Sequence, residues 1–155
     1  MINTGDVPNN WFKSLFRVTK IPTMCQVVAA ALIDPAGRVL MQVRAAGRQH
    51  AGLWEFPGGK VETDETLEIA LVRELVEELA IAVDPADLQL LASAADPAAG
   101  IVIFLYTCRR WHGEPVCLDA ETLCWFAPAD FAQLAMPPLD RPLAAALKLA
   151  LDPAN

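Results

Sequence analysis

The chain has 155 residues, 54% of them hydrophobic, a formal net charge of -7, four cysteines and two histidines. That length and apolar content suit one compact domain whose core needs no disulfides, and an acidic chain without a basic stripe excludes a nucleic-acid polymer as partner. No apolar run is long enough to span a bilayer and no signal-like apolar segment follows a charged start. Cys25, Cys108, Cys117 and Cys124 form no C-x-x-C pair that would speak for zinc. The expectation is a cytoplasmic protein with reduced thiols, monomeric or homodimeric and without membrane contact.

In chain order, residues 1–22 read as an N-terminal extension in which Trp11, Phe12, Leu15, Phe16 and Val18 suit one short amphipathic turn. The domain is expected over 23–152. Residues 24–33 are a dense apolar run, read as a buried strand, and Asp34-Pro35-Ala36-Gly37 is a turn into a second strand over 38–44, a hairpin signal. Residues 53–56 precede the glycine turn Phe56-Pro57-Gly58-Gly59-Lys60. Residues 66–79 hold neither Gly nor Pro, and Leu67, Leu71, Leu75 and Leu79 recur every fourth position, which predicts an amphipathic helix closed by Asp84-Pro85. Strands follow over 88–93 and 101–110, separated by a loop around Asp96-Pro97-Ala98-Ala99-Gly100, then a strand over 122–126. A short helix over 128–134 and a second amphipathic helix over 141–151 complete the chain. Strands mixed with helices predict an α/β (α+β) fold with a mixed sheet packed between helices.

The predicted helix carries the chemistry. At about 100° per residue, Glu74, Glu77 and Glu78 fall within roughly a 100° arc, so three carboxylates share one face. Like charges at this spacing repel by a few tenths of a kcal/mol per pair, and a divalent cation reverses that sign. Oxygen-only donors favour Mg2+ or Mn2+, with water and phosphate oxygens filling the other positions. Arg73 lies one position off the face, placed to pair with Glu77 or to orient a neighbouring carboxylate through its planar fork. A plain solvated acidic face is the alternative. The two glycines immediately ahead, suited to a tight turn with exposed carbonyls, favour the functional reading.

Written as a pattern, residues 59–81 are G-x5-E-x7-R-E-L-x-E-E-x-A-I. This resembles the Nudix box of nucleoside diphosphate-X hydrolases except at Ala80, where that family has glycine. Gly52-Leu53-Trp54-Glu55-Phe56-Pro57-Gly58-Gly59-Lys60-Val61-Glu62, Arg110-Trp111-His112-Gly113-Glu114-Pro115 and Met136-Pro137-Pro138-Leu139-Asp140-Arg141-Pro142 look like the MutT branch, and the likeness covers about residues 24–151. It implies the Nudix α/β/α sandwich and Mg2+- or Mn2+-dependent hydrolysis of a nucleoside triphosphate to monophosphate and pyrophosphate. The implied substrates are small nucleotides: oxidised purine triphosphates such as 8-oxo-dGTP, or pyrimidine triphosphates such as CTP.

By the same resemblance, the Gly58 carbonyl with Glu74, Glu77 and Glu78 matches the metal ligands, and Glu65 and Arg73 match supporting positions. Asp119 matches a further acidic position used for metal or base duty. Arg44 matches a phosphate-contacting arginine. Asp140 matches the position that reads the base edge, with helix N-capping as the alternative. Phe56, Gly59 and Lys60 fall in the substrate-binding loop. Glu74 is the first choice for general base, with Asp119 or Glu121 in reserve.

Two departures bear on these expectations. Ala80 loses an easy left-handed helix cap, and the segment 92–100 lacks the aromatic and charged residues that the MutT branch usually brings to the nucleotide. Pro97 sits where ADP-ribose pyrophosphatases carry a proline, so a nucleoside diphosphate-X substrate is the second reading. A non-catalytic nucleotide-binding module is the third, against which all the box carboxylates stand.

Overall fold

A computed structural model describes residues 23–152; the turn expected within residues 1–22 lies outside the described residues. Strand β1 (Cys25–Leu32) is the axis of the fold. It pairs in parallel with β6 (Ile101–Cys108) on one side and antiparallel with β4 (Gly58–Lys60) on the other, and β6 pairs antiparallel with β5 (Gln89–Asp96). The result is a mixed four-stranded sheet in the order β4-β1-β6-β5. A second, antiparallel sheet takes β3 (Trp54–Glu55), β2 (Val39–Val43) and β7 (Thr122–Phe126) in the order β3-β2-β7.

The single mixed sheet expected from sequence is therefore two sheets, and the hairpin is only its turn. Asp34 and Arg38 close that turn through Asp34 N–H to the Arg38 carbonyl at 2.9 Å and Arg38 N–H to Asp34 Oδ1 at 2.8 Å. One bridge between Ile33 and Val39 follows, after which β1 and β2 part into different sheets.

From Val27 on, β1 is apolar because both its faces are covered. Val28, Ala30 and Leu32 face a core that includes Ala70, Leu71, Leu75 and Leu79 of helix α1 (Leu67–Leu79). Ala29, Ala31 and Ile33 face a second core that includes Leu143, Ala144 and Leu147 of helix α2 (Asp140–Ala150). The strand's two-residue period thus builds an α/β/α sandwich from one segment. No helix among the described residues is long and apolar enough to cross a membrane.

Element ends differ from expectation where local side chains intervene. Thr66 is the N-cap of α1, its hydroxyl accepting from Ile69 N–H at 3.3 Å. The helix stops at Ala80 rather than at Asp84-Pro85, which instead opens a short 3-10 turn over Pro85–Asp87 capped by Asp84. β5 runs on to Asp96, whose Oδ1 accepts from Ala98 and Ala99 N–H, so the expected loop shrinks to residues 97–100. β6 ends at Cys108. Residues Pro128–Gln133 form a 3-10 helix.

Ala80 takes the left-handed conformation, φ 55° and ψ 30°, and its N–H and that of Ile81 close the last turn on Val76 and Leu75 carbonyls. Alanine is strained there by about 1 kcal/mol because its Cβ crowds the carbonyl. Ala80→Gly is expected to raise the thermal midpoint by about 3 °C. A midpoint that stays or falls in a thermal melt would show that the cap carries no such strain.

Candidate active site

β4, the C-terminal half of α1 and the loop before β7 meet around one cavity of about 790 Å3. Its lining gathers ten residues singled out from sequence: Arg44, Phe56, Gly58, Gly59, Lys60, Glu74, Glu77, Glu78, Asp119 and Asp140. Glu65 and Arg73 do not line it and stand behind it. Arg73 grips Glu65 side-on, Nε to Oε1 at 2.7 Å and Nη2 to Oε2 at 2.8 Å, and Glu65 also accepts from Glu62 N–H at 3.0 Å. The Arg73 contact, with the Glu62 N–H, holds the Glu65 carboxyl down at about 2. The same guanidinium donates to the Lys60 carbonyl at 3.0 Å and to Glu74 Oε1 at 2.8 Å. One planar fork thereby ties the glycine strand, the loop and the helix together.

The three helix carboxylates have different environments. Glu74 is mostly covered and braced by Arg73; Glu77 is exposed and reaches Arg73 only at 3.4 Å. Glu78 is buried, its Oε2 accepting from Gly58 N–H at 3.0 Å and from Gln42 Nε2 at 3.3 Å. Burial pushes its carboxyl up to about 7, against the Gly58 N–H and aided by the charges of Glu74 and Glu55. Among the described residues, no three acidic, histidine or cysteine side chains stand close enough together to enclose a metal ion. The convergence expected on α1 thus stops at a shared cavity wall, because Glu78 turns to Gly58 and Gln42 while Glu74 and Glu77 turn to Arg73.

The donors nonetheless suit a hard divalent ion. All are oxygens on one helix face, and the glycine strand is shaped around one of them: a Cβ on Gly59 would stand 2.3 Å from the Glu74 carboxyl carbon. Glu78, buried beside two like charges, is a group whose ionisation a bound cation would favour. Gly58, Glu74, Glu77 and Glu78 are the residues placed to hold such an ion.

Asp119 is fixed by its neighbours along the chain. Leu118 N–H donates to the Glu78 carbonyl at the end of α1, and Glu121 N–H donates to the Val43 carbonyl at the end of β2, both at 3.0 Å. Asp119 therefore overlooks the cavity, with its carboxylate on Arg48, whereas Glu121 does not line it. Arg44 lies 3.4 Å from Glu55, and its Nε is buried without a partner. Phe56 is buried in the core against Phe131, ring centroids 6.4 Å apart, and its N–H rather than its ring serves the site, donating to Asp140 Oδ1 at 3.2 Å.

Asp140 is not a helix cap. It is the first residue of α2, after an N-cap at Leu139 that makes no side-chain bond, and its carboxylate is buried on Phe56 N–H. Two residues escaped the sequence reading. Gln42 donates to both Glu55 and Glu78, and Arg48 pairs with Asp119. A glutamine inside the apolar run Val39-Leu40-Met41-Gln42-Val43 was the available signal for the first, since a buried amide demands partners; nothing local marked the second.

Burial pushes the Asp140 carboxyl up to about 7, against the Phe56 N–H and with help from Glu55. The folded pKa lies above the ordinary aspartate value, so the stability from the neutral acid is full below about pH 4 and lost as pH rises through about 7. Asp140→Asn, which keeps an acceptor for Phe56, is expected to raise the metal-free melting midpoint by on the order of 5 °C at pH 8 and by far less at pH 4. An equal shift at both pH values would contradict a buried acid at this position.

Comparison with known proteins agrees with this geometry. The family model for the NUDIX domain matches residues 24–147. The chain is 39% identical over 118 residues to the CTP pyrophosphohydrolase of Escherichia coli, covering 75% of this chain and 86% of that one. It is 31% identical over 123 residues to the 8-oxo-dGTP diphosphatase of the same organism, covering 79% and 95%. The solution structure of the E. coli ORF135 protein superimposes with a TM-score of 0.74 at 38% identity, over 86% of this chain and 94% of that one. The chain belongs to the NUDIX family of hydrolases, enzymes that act on nucleotide phosphoanhydride bonds.

Proposed function

We propose that this chain is a Mg2+- or Mn2+-dependent pyrophosphohydrolase that converts a nucleoside triphosphate, modified or pyrimidine, to the monophosphate and pyrophosphate. One observation carries the reading: a single cavity joins the glycine strand and the α1 carboxylates to an apolar shelf of Val27, Ile101, Ile103, Pro137 and Pro138 beside buried Asp140. A nucleotide is likewise half planar and apolar, half anionic. The relatives named for CTP and for 8-oxo-dGTP hydrolysis support the same class.

A divalent ion, when bound, supplies charge neutralisation at the phosphate oxygens. The protein's own groups do the rest. Glu74, held by Arg73 beside Gly59, accepts a proton from the attacking water as its oxygen bonds to phosphorus, and the anhydride oxygen leaves with the bonding pair as pyrophosphate. Arg44 and Lys60 offer donors to phosphate oxygens. Asp140, its carboxyl pushed up to about 7, presents a donor to a base edge when protonated and acceptors alone when ionised. Pro97 sits in the turn after β5 and does not line the cavity, so it lends no support to the ADP-ribose reading. Four free thiols and the small polar substrate suit a cytoplasmic setting.

The test is pyrophosphate release with Mg2+ over 8-oxo-dGTP, dGTP, CTP, 5-methyl-dCTP and dATP, with ADP-ribose in parallel. Turnover of at least one triphosphate is expected, falling roughly 10^2-fold or more in Glu74→Gln. Turnover of ADP-ribose alone would replace the proposal, and near-normal turnover by the variant would remove Glu74 from the base role.

A further inference from the structure

Arg48 lies between β2 and β3, on a loop that faces the one carrying Asp119, and both side chains line the cavity. Its Nη2 donates to Asp119 Oδ1 at 2.9 Å and its Nη1 stands 2.7 Å from Oδ2, a two-point grip across 71 residues of chain. This is the geometry in which a guanidinium also holds two phosphate oxygens. The pair is wet, its side chains 51% and 42% exposed, so it contributes little net stability and exchanges partners cheaply. Arg44, by contrast, is mostly covered and held beside Glu55. A polyphosphate entering a cavity that already contains Glu55, Glu74, Glu77 and Glu78 needs a mobile cation at its rim.

We propose that Arg48 is a phosphate-binding residue that rests on Asp119 in the free protein and moves to the distal phosphates of the bound triphosphate, releasing the Asp119 carboxylate into the cavity. The inference rests on the triphosphate reading above and adds to it a specific anchor and a device that unpairs Asp119 only when substrate arrives.

The test uses inorganic tripolyphosphate and calorimetry on the full chain freed of metal, so it needs neither base recognition nor turnover. Arg48→Ala is expected to weaken tripolyphosphate binding roughly tenfold. Asp119→Asn, which frees Arg48, is expected to tighten it by about threefold, and Arg48→Ala/Asp119→Asn is expected to bind as weakly as Arg48→Ala alone. If Arg48 merely ties the two loops together, both single variants lose binding alike, and the proposal falls. It also falls if the tightening by Asp119→Asn persists in full without Arg48, which is plain removal of a negative charge, or if the parent chain binds no tripolyphosphate. Thermal melts of the four chains exclude misfolding as the cause of a loss. A failed nucleotide screen would remove the triphosphate reading, whereas the tripolyphosphate cycle stands or falls on Arg48 alone.

Discussion

Two glycines wedged between a strand and a helix set the terms for the rest of this molecule. A Cβ on Gly58 would meet the Val28 carbonyl oxygen at 2.0 Å, and one on Gly59 would meet the Glu74 carboxyl carbon at 2.3 Å. β4 can therefore lie against β1 only without a side chain at Gly58, whereas one at Gly59 would push the Glu74 carboxylate from its place. That close approach brings the Gly58 N–H to Glu78 and the Lys60 carbonyl to Arg73. The acidic helix face is thus set against backbone rather than left in solvent, and the cavity inherits a wall that is rigid on one side and charged on the other.

Charge is then distributed by burial. Glu65 and Arg73 form a strong, ionised brace behind the cavity, while Glu78, Glu55 and Asp140 inside it are driven toward their neutral forms by desolvation. Such a gradient costs stability at neutral pH and is the expected signature of a site built for a cationic partner and an anionic substrate. The carboxylates of α1 are accordingly not a closed ligand set by themselves. Glu74 and Glu77 share Arg73 while Glu78 rests on Gly58 and Gln42, all on one wall with the glycine strand placed beside them.

The parts legible in the sequence were those encoded locally. Glu74, Glu77 and Glu78 were readable because helical geometry converts three- and four-residue spacing into one face, and the supporting place of Arg73 and Glu65 followed from the motif that they complete. β1 was readable from its dense apolar run, though not the reason for it, which is that two helices cover its two faces. What was missed depends on contacts between distant segments. Ile33 and Val39 bridge once and separate, so a hairpin signal marked a junction between two sheets. Asp140, read as a base-edge residue with capping as the alternative, makes no cap, and its role as a buried acceptor for Phe56, 84 residues earlier, had no local signal. Gln42 and Arg48 acquire meaning only when β2 and its following loop are laid beside α1 and Asp119.

The claim that the glycine strand and α1 together make a site for a single divalent ion is tested most directly by titrating Mn2+ and following its free signal by electron paramagnetic resonance. The account predicts about one strongly held ion per chain, weakened about tenfold or more in Glu78→Gln, with the variant's melt confirming that it folds. Equal binding by the parent chain and Glu78→Gln, or no binding by either, would contradict it.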